Sequence, residues 1–271
     1  MVKIRAMMLR LFLALFIFTV PALGEELSGI DALDGADVVL LGEVHDNPDH
    51  HLFQAEALTA LTPAAVVFEM LSGDQAARIT PDLLDDPEAL AAVLDWDNSG
   101  WPDFGIYAPV FAALGSARVY GAALPPATVR ASVTEGAVAH FSGNAVQFGL
   151  AAPLEPDEQA AREAGQGAAH CGALPVEMLP GMVAAQRLRD AELALQVILA
   201  HAATGGPVAV ITGNGHARSD WGVPRVLAQA APELTTLSLG QLEAPPEGAA
   251  PYDLWRVTPP IDRPDPCDAF R

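Results

Sequence analysis

The chain has 271 residues, 51% of them hydrophobic, and carries 34 Asp+Glu against 14 Lys+Arg for a formal net charge of −20. A surface this acidic repels phosphate backbones and anionic headgroups, which excludes nucleic acid and acidic membrane surfaces as partner classes. The length suits one large domain or two small ones.

Lys3, Arg5 and Arg10 precede an apolar run at 11–20 (LFLALFIFTV), followed by Pro21-Ala22-Leu23-Gly24. A basic start, a short apolar core and small residues before an acidic position form the pattern of a cleavable secretory signal. The run is about half of the roughly 20 residues that a spanning helix requires. No cysteine stands near the cleavage point to take a lipid, so no stable membrane anchor is expected. Cleavage near Gly24 gives a signal peptide at 1–24 and a mature chain at 25–271, expected as a single domain in the periplasm or secreted. The leader removes three basic and no acidic residues, leaving 11 Lys+Arg against 34 Asp+Glu, or −23; Lys3 is the chain's one lysine.

Apolar runs bounded by turn residues mark candidate strands at 37–42 (DVVLLG), 65–69 (AVVFE), 117–124 (ARVYGAAL), 208–213 (VAVITG), 234–239 (LTTLSL) and 252–257 (YDLWRV). The first four are nearly continuous in apolar character, as expected of parallel strands covered on both faces. Residues 49–61 read as a helix, which completes a strand–helix–strand unit. The aromatic, turn-rich stretch 96–107 (WDNSGWPDFGIY) reads as an ordered loop, and 151–171 as a surface helix with its connection. A long helix follows Pro180 and runs to about Ala203, where Gly205-Gly206-Pro207 stops it. The order of elements predicts a three-layer α/β fold with a mostly parallel central sheet and helices on both faces. No solenoid-length repeat and no interdomain linker interrupts it.

Cys171 and Cys267 are the only cysteines. In an exported chain such a pair points to a disulfide, here tying the proline-rich C-terminal segment to the middle of the domain.

The first strand ends in Gly42-Glu43-Val44-His45 and the fourth in Gly213-Asn214-Gly215-His216, so two Gly-x-x-His turns follow buried strands. Glu69 ends the second. Ligands in open α/β sheets bind beyond the carboxyl ends of the strands, and parallel strands would bring Glu43, His45, Glu69 and His216 to one edge. Two imidazoles with two carboxylates suit a divalent transition metal or acid–base work near neutral pH. They suit a structural role too, finishing the strands through backbone hydrogen bonds.

Together, VVLLGEVHDNPDHHLFQAEAL, the FEM strand end, WDNSGWPDFGIYAP, HCGALP, the QRLRDAELA helix and ITGNGHAR resemble the ChaN-like family. The resemblance spans about 38–267. It implies a haem-binding α/β protein linked to iron uptake, with haem held between two subunits of a possible homodimer. The wider group includes the Tiki metalloproteases and erythromycin esterases, so the alternative is a metal-dependent hydrolase using His45, His216, Glu43 and Glu69. For haem, the family favours a tyrosine ligand. Tyr107, which matches the family's aromatic stretch, is the expected haem-iron ligand, whereas Tyr120 and Tyr252 fall in predicted strands; a loop tyrosine packed on Trp96 or Trp101 is the plain alternative. His45, His216 and Trp101 are further expected haem contacts.

Gln186, Arg189 and Asp190 share a face of the long helix by their spacing. Arg189 is a candidate partner for a haem propionate or Glu69, or a structural ion pair; Arg218 is the other propionate candidate. His50 and His51 are expected on a solvated helix face, His140 in a surface turn, His170 beside the disulfide, and His201 at the negative end of the long helix.

Overall fold

A computed structural model describes residues 24–265 and 267–268, so all of the expected signal peptide except Gly24 lies outside the described residues. Seven strands occur among the described residues: β1 (Glu25–Glu26), β2 (Val38–Glu43), β3 (Ala65–Phe68), β4 (Arg118–Gly121), β5 (Val208–Gly213), β6 (Thr236–Leu242) and β7 (Leu254–Val257). They form one sheet in the order β1-β7-β6-β2-β5-β3-β4, and every neighbouring pair is parallel. The helices are α1 (Pro48–Leu61), α2 (Gly73–Ala76), α3 (Pro81–Leu84), α4 (Pro87–Leu94), α5 (Phe104–Ala112), α6 (Pro126–Glu135), α7 (Pro156–Ala169), α8 (Leu179–Thr204), α9 (Asn214–Ala217) and α10 (Val223–Ala230). The expected α/β class and parallel sheet are present.

Strand side chains alternate between faces, and the two cores follow that alternation. Val38, Leu40, Val67, Val208 and Val210 meet α8 and α10 through Leu188, Ala191, Ala194, Val197, Val223 and Leu227. Val39, Leu41, Val66, Phe68, Ala209 and Ile211 meet α1, α4 and α5 through Phe53, Leu58, Leu90, Val110 and Phe111. The helix after β2 therefore covers one face, and the helix that follows β5 and α9 covers the other. β2 and β5 are neighbours, so their carboxyl ends form the switch point at which such sheets open a crevice.

β4 is shorter than expected and half-exposed because it is the edge strand, paired only with β3. The stretch 96–107 is not a loop throughout. It contains a 3₁₀ turn, Trp96–Asn98, and the start of α5, where Asp103 caps the helix by accepting from the Gly105 N–H at 2.7 Å. α8 ends at Gly205, in the left-handed conformation at φ 83°, with its N–H bonded to the His201 carbonyl.

Gly42 lies in β2 between β5 and β6, where a Cβ would stand 2.8 Å from the Leu239 carbonyl oxygen and 2.6 Å from Asn214 Oδ1. Backbone cannot yield there, so Gly42→Ala is expected to destabilise by about 1–3 kcal/mol. Urea unfolding checks this, and an unchanged midpoint would contradict the close approach.

Cys171 and Cys267 are disulfide-bonded across 96 residues of sequence, with Cα atoms 5.5 Å apart. Closing a loop of that length stabilises by about 4–5 kcal/mol in the chain-entropy model. Reduction is expected to lower the unfolding free energy by that order, measured by denaturation with and without a reductant.

Candidate functional site

Parallel register sets the carboxyl ends of the central strands level. Glu43 pairs with Gly213 across β2 and β5, while Phe68 pairs with Ile211 across β3 and β5. Glu69, the next residue, donates its N–H to the Ile211 carbonyl at 3.0 Å. By alternation, Glu43 follows Val39 and Leu41 toward α1 and α5, whereas Glu69 follows Ala65 and Val67 toward α8. The two carboxyls thus share one edge and face opposite helical layers.

The Glu43 carboxyl has no exposed surface. It accepts from the Tyr107 hydroxyl at 2.8 Å, from His45 Nδ1 at 2.7 Å and from Gln54 Nε2 at 2.7 Å. Gln54 also donates to the Leu41 carbonyl, and His51 Nε2 donates to the His45 carbonyl at 2.9 Å. α1 supplies these groups because Asn47 caps it, accepting from the Asp49 N–H, with Pro48 at its first position. His50, His51 and Gln54 then fall on the inner side of the helix.

His50 and His51 are fully buried, which corrects the expectation of a solvated face. The physical reason is the strand end itself, whose backbone needs partners. The Val44 N–H donates to His50 Nδ1 at 2.9 Å, so His50 Nε2 carries the proton that goes to Thr258 Oγ1 at 2.7 Å. Burial pushes the His50 pKa down to about 4, outweighing the carboxylates of Glu243 and Glu43.

On the other face, His216 from the α9 turn is clamped between two acids. Its Nδ1 lies 2.6 Å from Asp190 Oδ1 and its Nε2 3.3 Å from Glu69 Oε1. Burial opposes the imidazolium, but Glu69 and Asp190 prevail and push the His216 pKa up to about 10. Burial likewise opposes the Glu69 anion; His216 overcomes it, aided by the Gly213 N–H, and holds Glu69 well below the usual carboxylate range. Thr212 Oγ1 and the Gly213 N–H both donate to Glu69 Oε2, at 2.7 and 2.8 Å. Burial raises Asp190 despite His216. The Gln186 amide lies 3.1 Å from the same ring.

His45 stands between these two clusters. A Cβ on Gly213 would meet its Nε2 at 2.7 Å, so the glycine makes room for the ring. The His45 side chain is 34% exposed, and the Trp101 ring lies edge-on to it with centroids 4.8 Å apart. Burial lowers the His45 pKa, but the hydrogen bond and charge of Glu43 raise it above its ordinary value.

Four of the expected residues, Glu43, His45, Glu69 and His216, do converge, with Trp101 beside them. Tyr107 joins them from α5, not from a loop, and is fully buried. Burial and Glu43 raise its pKa far above the ordinary phenol value, and its hydroxyl faces Glu43 instead of solvent. Arg189 is exposed, while Gln186 and Asp190 on the same helix turn inward. Arg218 binds Asp220 through two hydrogen bonds and lies 3.8 Å above the Trp221 ring. Gln54, which also supports Glu43, is not singled out by the sequence pattern, although its i, i+3 spacing from His51 is a usable signal.

Among the described residues, no group of three His, Cys, Asp or Glu side chains is placed to hold a metal ion. Both His216 nitrogens face carboxylates. His45 Nδ1 is hydrogen-bonded to the buried Glu43 carboxylate, the arrangement of a carboxylate-backed histidine.

Known proteins resemble this chain in sequence pattern and fold. Residues 29–227 match the family described as haem-binding uptake, Tiki superfamily, ChaN. A solved structure of ChaN from Campylobacter jejuni, described by its cofacial haem binding, is 19% identical and covers 80% of this chain and 86% of its own, with a TM-score of 0.61. The type III effector HopBA1 is 11% identical over 88% of this chain and 98% of its own, with a TM-score of 0.50. At such identities the structural likenesses show the fold alone. No curated protein sequence matches the chain. Among the described residues, no helix is long and apolar enough to cross a membrane. With motifs, parallel sheet and most of its length in agreement, the chain belongs to the ChaN-type haem-binding uptake family of the Tiki superfamily.

Proposed function

We propose that the mature chain, exported after cleavage near Gly24, is a one-domain haem-binding protein of the cell envelope that serves iron acquisition. The observation that carries this reading is His45, partly exposed at the sheet's carboxyl edge and held at Nδ1 by the buried Glu43. His45 is the iron ligand in this proposal, and Trp101 flanks the porphyrin. Haem, when bound, would supply the iron; His45 would hold it, with Glu43 orienting the imidazole.

Membership of a haem-uptake family supports the substrate class. Tyr107 would coordinate only after giving up its bond to Glu43, so its role here is to steady that carboxylate. Arg189 and Arg218 are the basic groups proposed to meet the propionates; both retain exposed surface in a strongly acidic chain. We further propose that two copies meet over this edge when haem is bound.

Titration of haem into residues 25–271, followed by visible absorption, tests the reading. A saturable spectral change at one haem per chain is expected. A change that grows without saturation, as in nonspecific partition, would contradict it.

A further inference from the structure

Away from the strand ends, three of the chain's few basic side chains converge on one pocket. Arg162 from α7, Arg187 from α8 and Arg225 from α10 line it with Asp190, Trp221 and Gln229, around a small open cavity of about 60 Å³. In a chain with 14 Lys+Arg against 34 Asp+Glu, such a concentration is unlike the rest of the surface.

The guanidinium charges are under-compensated. Arg162, with its side chain only 7% exposed, and Arg225 both bind one oxygen of Glu158, at 2.6 and 2.8 Å. Burial opposes the Glu158 anion, yet these two arginines hold it below its ordinary value. Arg187 Nη2 reaches only carbonyls, those of Gly149 at 2.6 Å and Ala152 at 3.0 Å. Burial, reinforced by the Arg162 charge, pulls Arg187 below its ordinary value, as expected of a cation short of anions.

The acid on the wall itself, Asp190, is already engaged through Oδ1 with His216. Its Oδ2 is buried and has no hydrogen-bond partner among the described residues. A buried acceptor left unpaired is costly, so it calls for a donor. The pocket therefore presents an excess of cationic forks, suited to a carboxylate or phosphate, together with one buried acceptor.

We propose that this pocket binds a small hydroxylated oxyanion, a hydroxycarboxylate or a phosphate monoester, with its anionic group on Arg162, Arg187 and Arg225 and its hydroxyl donating to Asp190 Oδ2. Asp190 then serves two places, holding His216 with one oxygen and the ligand with the other.

Calorimetric titration of residues 25–271 without haem, at fixed ionic strength, tests this with malate, glycerol 3-phosphate and succinate. Saturable binding of malate or glycerol 3-phosphate is expected, and the one that binds more tightly identifies the headgroup. Succinate, which lacks the hydroxyl, should bind about tenfold or more weakly than malate because Asp190 Oδ2 stays unpaired. Arg225→Gln, at a half-exposed position, should weaken binding about tenfold while keeping the melting curve. Arg187→Gln serves as the second variant and should weaken it likewise. No saturable heat from any probe, or parental affinity in both variants, would overturn the proposal; succinate binding as tightly as malate would overturn the role of Asp190. Haem binding is measured separately, so either reading can fail without the other.

Discussion

Replacing His216 by Gln is expected to lower the unfolding free energy by about 3–5 kcal/mol, the usual consequence of removing one partner from a buried ionic cluster. Glu69 and Asp190 would then stand buried without the imidazolium that joins them. The size of the loss reflects the two stranded acids more than any net strength of the clamp. The effect also has a pH signature. His216 is raised from an ordinary 6.5 to about 10 in the folded chain, so its contribution is complete below about pH 6.5. As pH rises through about 10, the folded ring loses its proton and the contribution disappears. The gap between parent and variant should therefore be widest at and below about pH 6.5 and should narrow steadily as pH rises from there to about 10. Urea unfolding at several pH values checks this; a gap independent of pH would mean that His216 is held as a neutral ring.

The second large effect is expected at Glu43. Glu43→Gln keeps the shape of the side chain but removes the negative charge behind His45 Nδ1. Loss of a carboxylate that backs a ligating histidine typically costs 10–100-fold in affinity for the metal group, and haem affinity should fall by about that factor. Tyr107→Phe removes one hydrogen bond to the same carboxyl, worth about 1 kcal/mol of stability. It should leave the axial-ligand signature of bound haem in place. Haem titrations of both variants, beside unfolding curves, separate the two roles. Loss of the signature in Tyr107→Phe would return the iron to the tyrosine.

The sequence exposes those parts of the fold whose pattern is doubly constrained. β5 is visible at 208–213 because a central parallel strand must be apolar on both faces, and β2 is displaced by one residue only because Glu43 continues its ladder. α8 is legible from its apolar spacing and from Gly205 at its end. By contrast, Gly100, Pro102 and Gly105 disguise the entry into α5, although Asp103 ahead of Phe104, Tyr107 and Phe111 marks a capped helix. The edge strand β1 has two residues, too few for any pattern.

Within the site, the strand-end residues are legible because turn chemistry and position coincide. Their supports are not. His50 and His51 look like a polar helix face, yet both are buried to serve the backbone of Val44 and His45. Arg162, Arg187 and Arg225 come from three helices far apart in sequence, so only the packed layers bring them together. Tyr107 was conspicuous by composition, but which way its hydroxyl points depends on α5 packing against α1.

The most direct test of the central claim is the resonance Raman and visible spectrum of haem bound to the parent chain and to His45→Ala. The account predicts an imidazole-type iron signature in the parent, lost with most of the affinity in the variant. An unchanged spectrum and affinity in His45→Ala would contradict it.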